Sequence, residues 1–259
     1  MKTIAISGKG GTGKTTIAAL IIRWLSDHLT KSILAVDADS NVNLNDLLGV
    51  EIKETVGGIR EEMKSLVSNL PGGMSKSQYL EYKIQASLVE RSEFDLVAMG
   101  RPEGPGCYCY ANNLLRDILA TLGSNYEFVV IDNEAGMEHL SRRTTQRVDY
   151  LLIVSDPTPR GIVAAGRIGR LLEELETRVK ARYLILNRTA LPLADSIKEW
   201  LDKEGLDLLA AVPEDEILLN SDRAGKTLWP IFPRTDAYKA IGSMLRKILP
   251  SEKEAGREV

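Results

Sequence analysis

The chain has only two cysteines and no apolar stretch close to the roughly 20 residues needed to cross a bilayer. Two cysteines are too few for the disulfide framework of a small secreted domain. The opening residues MKTIAIS contain neither the basic region nor the long apolar segment of a signal peptide. We therefore expect a cytoplasmic protein.

An excess of charge of one sign is also absent, because the net charge over 259 residues is -3. Sequence-independent attraction to nucleic acid needs concentrated Lys and Arg, so no nucleic-acid partner is expected. The composition, 44% hydrophobic and 27% charged, suits one domain with a sizeable core. We expect that domain to span residues 1–250 and a flexible charged tail to follow over residues 251–259.

Short apolar, β-branched runs alternate with segments of helical periodicity along the chain. The runs expected to form strands are residues 3–7, 32–37, 94–100, 128–132, 150–156, 183–187 and 208–213. Helical spacing covers residues 17–25, 114–122, 162–175 and 237–249, and two further helices are expected within 51–90, an excursion near the site. This βαβ succession predicts an α/β fold, a mainly parallel central sheet flanked by helices on both faces.

The stretch GKGGTGKTT fits the phosphate-binding pattern G-x-x-x-x-G-K-[ST] and lies between a predicted strand and an amphipathic helix. Backbone N–H groups of such a loop face the phosphates of ATP or ADP, the lysine reaches the β- and γ-phosphates, and the hydroxyl binds Mg²⁺. The motif therefore predicts a single-domain P-loop NTPase, and guanine nucleotides are not excluded by it. The predicted nucleotide contacts are Gly8, Gly10, Gly11, Thr12, Gly13, Lys14, Thr15 and Thr16.

The loop carries an additional lysine, Lys9, which lies too early to duplicate the reach of Lys14. The segment KGGTGKT resembles the deviant phosphate loop of the MinD and nitrogenase iron-protein group of ATPases, and the resemblance extends over nearly the whole chain. It implies that Lys9 crosses a homodimer interface to the phosphates of the partner's nucleotide. A cation delivered in this way stabilises charge in the transition state and couples dimerisation to hydrolysis.

Three carboxylates lie at or just after the ends of predicted parallel strands, and therefore at the same edge of the sheet. Asp37 and Asp39 begin the polar segment DADSNVNLND, and Asp132 ends FVVID, a strand of Walker-B form. The resemblance implies that Asp39 orients or deprotonates the attacking water, that Asp37 contacts Mg²⁺ through a water, and that Asp132 approaches Mg²⁺. Because Asp and Asn also favour turns and helix N-termini, a helix-capping turn is the alternative for the first segment. The segment DNEAGMEHL resembles the family's second switch, which senses the γ-phosphate near Gly136.

The base site is expected at two later strand ends. Asn187 and Arg188 follow YLIL and resemble the position that reads adenine in this family, and Pro213 lies in VPED, which would form the opposite wall. An amide offers a donor and an acceptor to the N6 and N7 edge of adenine.

Cys107 and Cys109 lie one residue apart in a segment rich in Gly and Pro. Two thiols at this spacing provide two of the four ligands of a closed soft-metal site, and a two-fold axis would supply the other two. The segments GPGCYCYANNLLR and DNEAGMEHLSRRT resemble the CooC family of nickel-handling maturation ATPases. That resemblance implies Ni²⁺ or Zn²⁺ bound across the homodimer and carbon monoxide dehydrogenase as the client.

Two other classes stay open. An iron-protein-like electron carrier would need two cysteines well separated in sequence, which this chain lacks. A positioning ATPase of the MinD or ParA kind would act at a membrane or DNA surface, and residues 237–249 form a basic amphipathic pattern that could lie on lipid. A helix that closes the domain against the sheet needs the same pattern. We favour that interpretation and expect no membrane partner.

Overall fold

The computed structural model describes residues 1–65, 73–101, 118–119, 121–134, 148–174, 179–189 and 191–249. Within them, eight strands form one sheet in the order β3-β4-β2-β5-β1-β6-β7-β8. All neighbouring strands pair in parallel except β3 and β4. The strands are β1 (Lys2–Gly8), β2 (Ile33–Ala38), β3 (Val89–Glu90), β4 (Asp95–Ala98), β5 (Phe128–Asn133), β6 (Val148–Ser155), β7 (Val179–Asn187) and β8 (Leu208–Val212).

Helices cover the two faces of this sheet. In the described ranges they are α1 (Lys14–His28), α2 (Leu44–Leu48), α3 (Val56–Ser65), α4 (Lys76–Ala86), α5 (Pro159–Glu174), α6 (Asp195–Glu204), α7 (Glu216–Arg223) and α8 (Asp236–Ile248). Residues 118–119 and 121–122 are also helical, within the stretch predicted to be a helix. The seven predicted strands and the mainly parallel architecture are confirmed.

The core consists of two apolar clusters, one on each face of the sheet. Ile4 and Ile6 of β1 belong to the cluster that contains α1 and α8, whereas Ala5 belongs to the cluster that contains α5. Successive strand side chains point to opposite faces, so a strand covered on both sides must be apolar at every position. This requirement explains the uninterrupted apolar runs in the sequence.

The expected excursion contains α3 and α4, which an ion-pair cluster joins. Lys83 of α4 lies 2.9 Å from Glu54 and 2.6 Å from Glu62 of α3. Ser75 caps α4 in a reciprocal capping box with Gln78. The chain then adds β3 antiparallel to β4, a two-residue edge strand that the sequence did not predict because its pattern is too short.

The C-terminal helix α8 buries its apolar face against the domain. Ile241 and Leu245 have no exposed surface, and Gly242 lies so close to α1 that an added Cβ would be 2.4 Å from Nε1 of Trp24. The interpretation of this segment as a helix that closes the domain is therefore confirmed. None of the helices in the described ranges combines the length and the apolar character that a bilayer crossing requires.

Candidate nucleotide-binding site

The phosphate loop depends on glycines where the backbone is left-handed or closely approached. Gly13 has φ 88° and Gly11 has φ 79°. A Cβ on Gly8 would lie 2.2 Å from the carbonyl oxygen of Val154 in the neighbouring strand β6. Gly13 precedes α1 without a side-chain cap, and the first turn of α1 has no acidic residue. The positive end of the α1 dipole is therefore available to an anion.

The two lysines of the loop occupy different environments. Lys14 is buried, and its Nζ lies 3.4 Å from the carbonyl oxygen of Lys9. The same carbonyl accepts a bond of 2.8 Å from the hydroxyl of Thr12. Lys9 thus anchors the loop through its backbone, while its side chain is exposed at the rim. Gly10 and Gly11, between the lysines, are exposed as well.

Asp132 provides the strongest indication of a cation site. It is 1% exposed, and its Oδ1 lacks a hydrogen-bond partner in the described structure. Burial raises the pKa of Asp132 to about 7, with the charge of Asp37 as a smaller cause, and an interaction with the hydroxyl of Thr15 opposes that rise. A buried carboxylate with a free oxygen beside a phosphate loop fits Mg²⁺, which prefers oxygen ligands and phosphate. The part of the chain that the structure describes holds no cluster of three or more His, Cys, Asp or Glu that could by itself hold a metal ion.

Asp37 and Asp132 are register partners on the adjacent strands β2 and β5, so the sheet brings the predicted carboxylates together. The carboxylate of Asp37 already accepts backbone N–H bonds from Asp39 (3.0 Å), Asn43 (2.9 Å) and Leu44 (2.9 Å). Burial raises its pKa, and these three bonds partly oppose that rise. Asp37 therefore caps α2 from the end of β2, and a contact to Mg²⁺ would have to use its remaining lone pairs.

The segment after β2 forms the polar turn that was the alternative interpretation, and its role as a switch stays a prediction. Asp39 is half-buried and its Oδ1 accepts from the backbone N–H of Asn41 at 2.8 Å, as in an Asx turn. Val42 has φ 51°, a conformation that is rare for a β-branched residue. A strained backbone of this kind is found preferentially in switch and ligand-binding segments.

Asn187 connects the predicted base site to the phosphate loop. It is 8% exposed, and its Nδ2 donates to the carbonyl oxygen of Thr12 at 2.8 Å. One amide proton is thus used within the protein, which leaves Oδ1 and the second proton for a base. Arg188 has φ 56°, in the left-handed region that few residues other than glycine adopt.

A pocket of about 110 Å³ lies beside α1 and contains the residues predicted for the base. Asn187 and Arg188 line it from the end of β7, and Pro213 lines it from the end of β8. Thr16, at the start of α1, lines it next to the phosphate loop. The remaining wall, which the sequence did not reveal, comes from α7, α8 and the segment between them through Leu218, Leu228 and Ala237. No motif marks these three apolar residues, so no local signal could have assigned them.

Three predicted features lie outside the described residues. They are Cys107, Cys109 and the second-switch segment around Gly136. The structure describes the chain up to Arg101 on the cysteine-bearing side and up to Glu134 before the second switch.

Comparison with known proteins identifies one matching family and similar proteins that align over most of the chain. Residues 3–228 match the model of the CobQ/CobB/MinD/ParA nucleotide-binding domain. An uncharacterized ATP-binding protein of Methanocaldococcus jannaschii is 46% identical over 248 residues, which cover 95% of this chain and 98% of that protein. The carbon monoxide dehydrogenase accessory protein CooC of Rhodospirillum rubrum is 30% identical over 263 residues, with coverage of 96% and 98%.

A solved structure shows the same fold. The septum site-determining protein MinD of Pyrococcus horikoshii, in complex with Mg-ADP, superposes with a TM-score of 0.68 at 21% identity and covers 100% of this chain and 98% of its own. The phosphate loop, the paired strand-end aspartates and the family match along most of the chain agree with one another. The chain belongs to the CobQ/CobB/MinD/ParA family of nucleotide-binding domains, as a P-loop ATPase of the MinD, ParA and CooC type.

Proposed function

We propose that this chain is a Mg²⁺-dependent ATPase that dimerises with bound nucleotide, carries Ni²⁺ on Cys107 and Cys109, and assists nickel insertion into carbon monoxide dehydrogenase. The observation that carries the ATPase part is the buried Asp132, which interacts with Thr15 at the N-terminus of α1 and whose Oδ1 has no hydrogen-bond partner among the described residues. The metal and the client rest on the cysteine pair and on the relationship to CooC.

The residues of the site would have separate roles in hydrolysis. The open N-terminus of α1 and the buried ammonium of Lys14 hold the phosphates. Thr15 and Asp132 would hold Mg²⁺, with Asp37 close by on the next strand. When bound, Mg²⁺ neutralises charge that develops on the phosphate oxygens. Asp39, at the start of a turn that its own carboxylate stabilises, would orient the attacking water.

The dimer explains the second lysine. The Lys9 side chain is exposed although its carbonyl anchors the loop, so the ammonium is available outside its own subunit. If a second copy packs against the carboxyl edge of the sheet, the Lys9 ammonium would contact the phosphates of the nucleotide bound to that copy. Charge delivered in trans stabilises the transition state only when the dimer has closed.

The cysteine pair supplies the cargo site in this scheme. One Cys107 and one Cys109 from each subunit make four thiolates around a two-fold axis, a ligand set that suits Ni²⁺ or Zn²⁺. The relative that is named a carbon monoxide dehydrogenase accessory protein is 30% identical over 96% of this chain. That relationship favours nickel as the cargo and carbon monoxide dehydrogenase as the acceptor.

A positioning ATPase that binds a membrane is the competing function. The face of α8 that would have to enter a lipid surface is packed in the core, with Ile241 and Leu245 fully buried. Membrane binding through this face would require α8 to leave the domain. Sedimentation with anionic liposomes in the presence of ATP tests this alternative, and we expect the protein to stay in the supernatant.

The decisive experiment measures native mass and bound Ni²⁺ with ADP and with a non-hydrolysable ATP analogue. Wild type should bind one Ni²⁺ per dimer with the analogue. Cys107→Ser should lose the metal, Lys9→Ala should lose analogue-induced dimerisation, and Lys226→Ala, which alters another exposed lysine, should behave as wild type. Full nickel binding by Cys107→Ser would disprove the metal assignment, and a monomer with both ligands saturating would disprove the dimer.

A further inference from the structure

One carboxylate joins the N-terminal turns of two helices. Oδ1 of Asp215 accepts backbone N–H bonds at the start of α7, from Ile217 at 3.0 Å and Leu218 at 3.2 Å. Its Oδ2 accepts from the start of α8, from Asp236 at 2.8 Å and Ala237 at 3.4 Å. Asp215 and Asp236 are 21 positions apart in sequence, so this contact is tertiary.

Only an acceptor with two oxygens can make this connection. The first N–H groups of a helix have no partner within the helix, and the positive end of the dipole favours an anion there. In α8, Thr235 bonds the N–H of Tyr238 through its hydroxyl at 3.1 Å, whereas the N–H groups of Asp236 and Ala237 bond Asp215. An Asn side chain at this position would have one oxygen for one helix and an NH₂ group that cannot accept from the other.

The two joined helix starts form one wall of the pocket beside the phosphate loop. Asp215, Leu218 of α7 and Ala237 of α8 all line this pocket, and Asn187 lines it from β7. The four bonds to Asp215 therefore hold α7 and α8 together at this wall of the pocket. The contacts described for that loop come from Asn187 and from the loop's own residues.

We propose that Asp215 is the positioning residue of the base pocket, which fixes the spacing of α7 and α8 and so sets the affinity for the nucleoside part of ATP. This inference rests on the proposed ATPase function, under which the pocket lined by Asn187 and Pro213 holds the base. Asp215 acts through the two helices. It contributes nothing to the binding of the phosphates, which the loop and the N-terminus of α1 hold.

The test uses Asp215→Asn in the full chain and compares two ligands by calorimetry, a non-hydrolysable ATP analogue and inorganic tripolyphosphate. Because Asn keeps the cap on α7 but loses the acceptor for α8, the dissociation constant for the ATP analogue should rise about tenfold. The constant for tripolyphosphate should be unchanged. In steady-state assays KM for ATP should rise with kcat preserved, a split that general destabilisation does not produce.

Asp195→Asn is the matched control, because it removes the same charge from the first turn of α6, where the side chain is 90% exposed. It should leave both affinities unchanged. If Asp215→Asn shows no cooperative thermal transition, Asp215→Ser, which also caps α7, replaces it. Equal affinity of variant and wild type for the ATP analogue would overturn the inference. A loss of affinity for tripolyphosphate as large as the loss for the ATP analogue would overturn it as well. Failure of wild type to bind either ligand would overturn the proposed function instead.

Discussion

Asn187, at the end of β7, donates a hydrogen bond of 2.8 Å to the backbone carbonyl of Thr12, 175 positions away in the phosphate loop. The close approach leaves no room for a side chain on Gly13, where a Cβ would lie 2.3 Å from Nδ2 of Asn187. The residue predicted to read the base therefore also supports the loop that binds the phosphates.

Asn187→Ala should weaken the binding of both the ATP analogue and inorganic tripolyphosphate, each by about tenfold, because a buried carbonyl loses its donor and the loop relaxes. Calorimetry with the two ligands measures the effect. Asn220→Ala, which removes an exposed amide from α7, is the control. If tripolyphosphate binds the Asn187 variant normally, this side chain serves the base alone. Asp215→Asn, in contrast, should leave the dissociation constant for tripolyphosphate unchanged. Comparing the two variants therefore distinguishes a residue that stabilises the phosphate loop from one that stabilises the base pocket.

The free energy of unfolding should depend on pH through Asp132. Its pKa is about 7 in the folded protein against an ordinary value of 3.8, so the folded state holds its proton more tightly. The stabilisation from this group is complete below pH 3.8 and is lost as pH rises to about 7. Because Asn does not titrate, the free energy of unfolding of Asp132→Asn should rise by about 3 kcal/mol relative to that of wild type as the pH increases from 4 to 8.

Urea denaturation of the two proteins in EDTA, without nucleotide, measures this difference. A constant offset between them across that pH range would show that the buried carboxylate does not titrate as its environment requires.

Gly100, where the chain leaves β4 toward the cysteine pair, has φ 63°, and a Cβ there would lie 2.5 Å from Cβ and Oγ1 of Thr55. Gly100→Ala should reduce the free energy of unfolding by about 3 kcal/mol, from left-handed strain and overpacking together. Gly205→Ala shares the strain, with φ 62°, but meets no atom within 4 Å. It should lose only about 1 kcal/mol. Equal losses in thermal or urea unfolding would exclude the contact with Thr55 as a cause.

The ion pairs of Lys83 should stabilise the excursion more than a surface pair would. Its side chain is 16% exposed and lies between Glu54 and Glu62. Lys83→Met should cost about 1–2 kcal/mol, because two carboxylates lose their shared cation. Lys198→Met, which breaks an exposed pair with Asp195, should cost at most about 0.5 kcal/mol. The ordering of the two losses in urea unfolding is the result to check, and the reverse order would contradict it.

Much of the fold and part of the site followed from local patterns. Apolar runs of strand length separated by helical periods predicted the parallel sheet, and G-x-x-x-x-G-K-T predicted the loop between β1 and α1. The edge strand β3 was missed because two residues show no period. Helix capping was the alternative interpretation for the segment that begins at Asp37. The sequence could not name Asp37 as the capping residue, because its partners, Asn43 and Leu44, lie beyond a turn whose shape no pattern specifies.

The sequence by itself determined which segments are strands and helices and where the phosphates can bind, because periodicity, glycine at left-handed positions and residue chemistry act over a few neighbouring residues. Only the tertiary structure decided that β1 lies between β5 and β6, that Asp37 faces Asp132 across a strand pair, and that Asp215 joins α7 to α8. Strand order and register depend on pairing between distant segments, and that pairing depends on which apolar faces the folded chain can bury together.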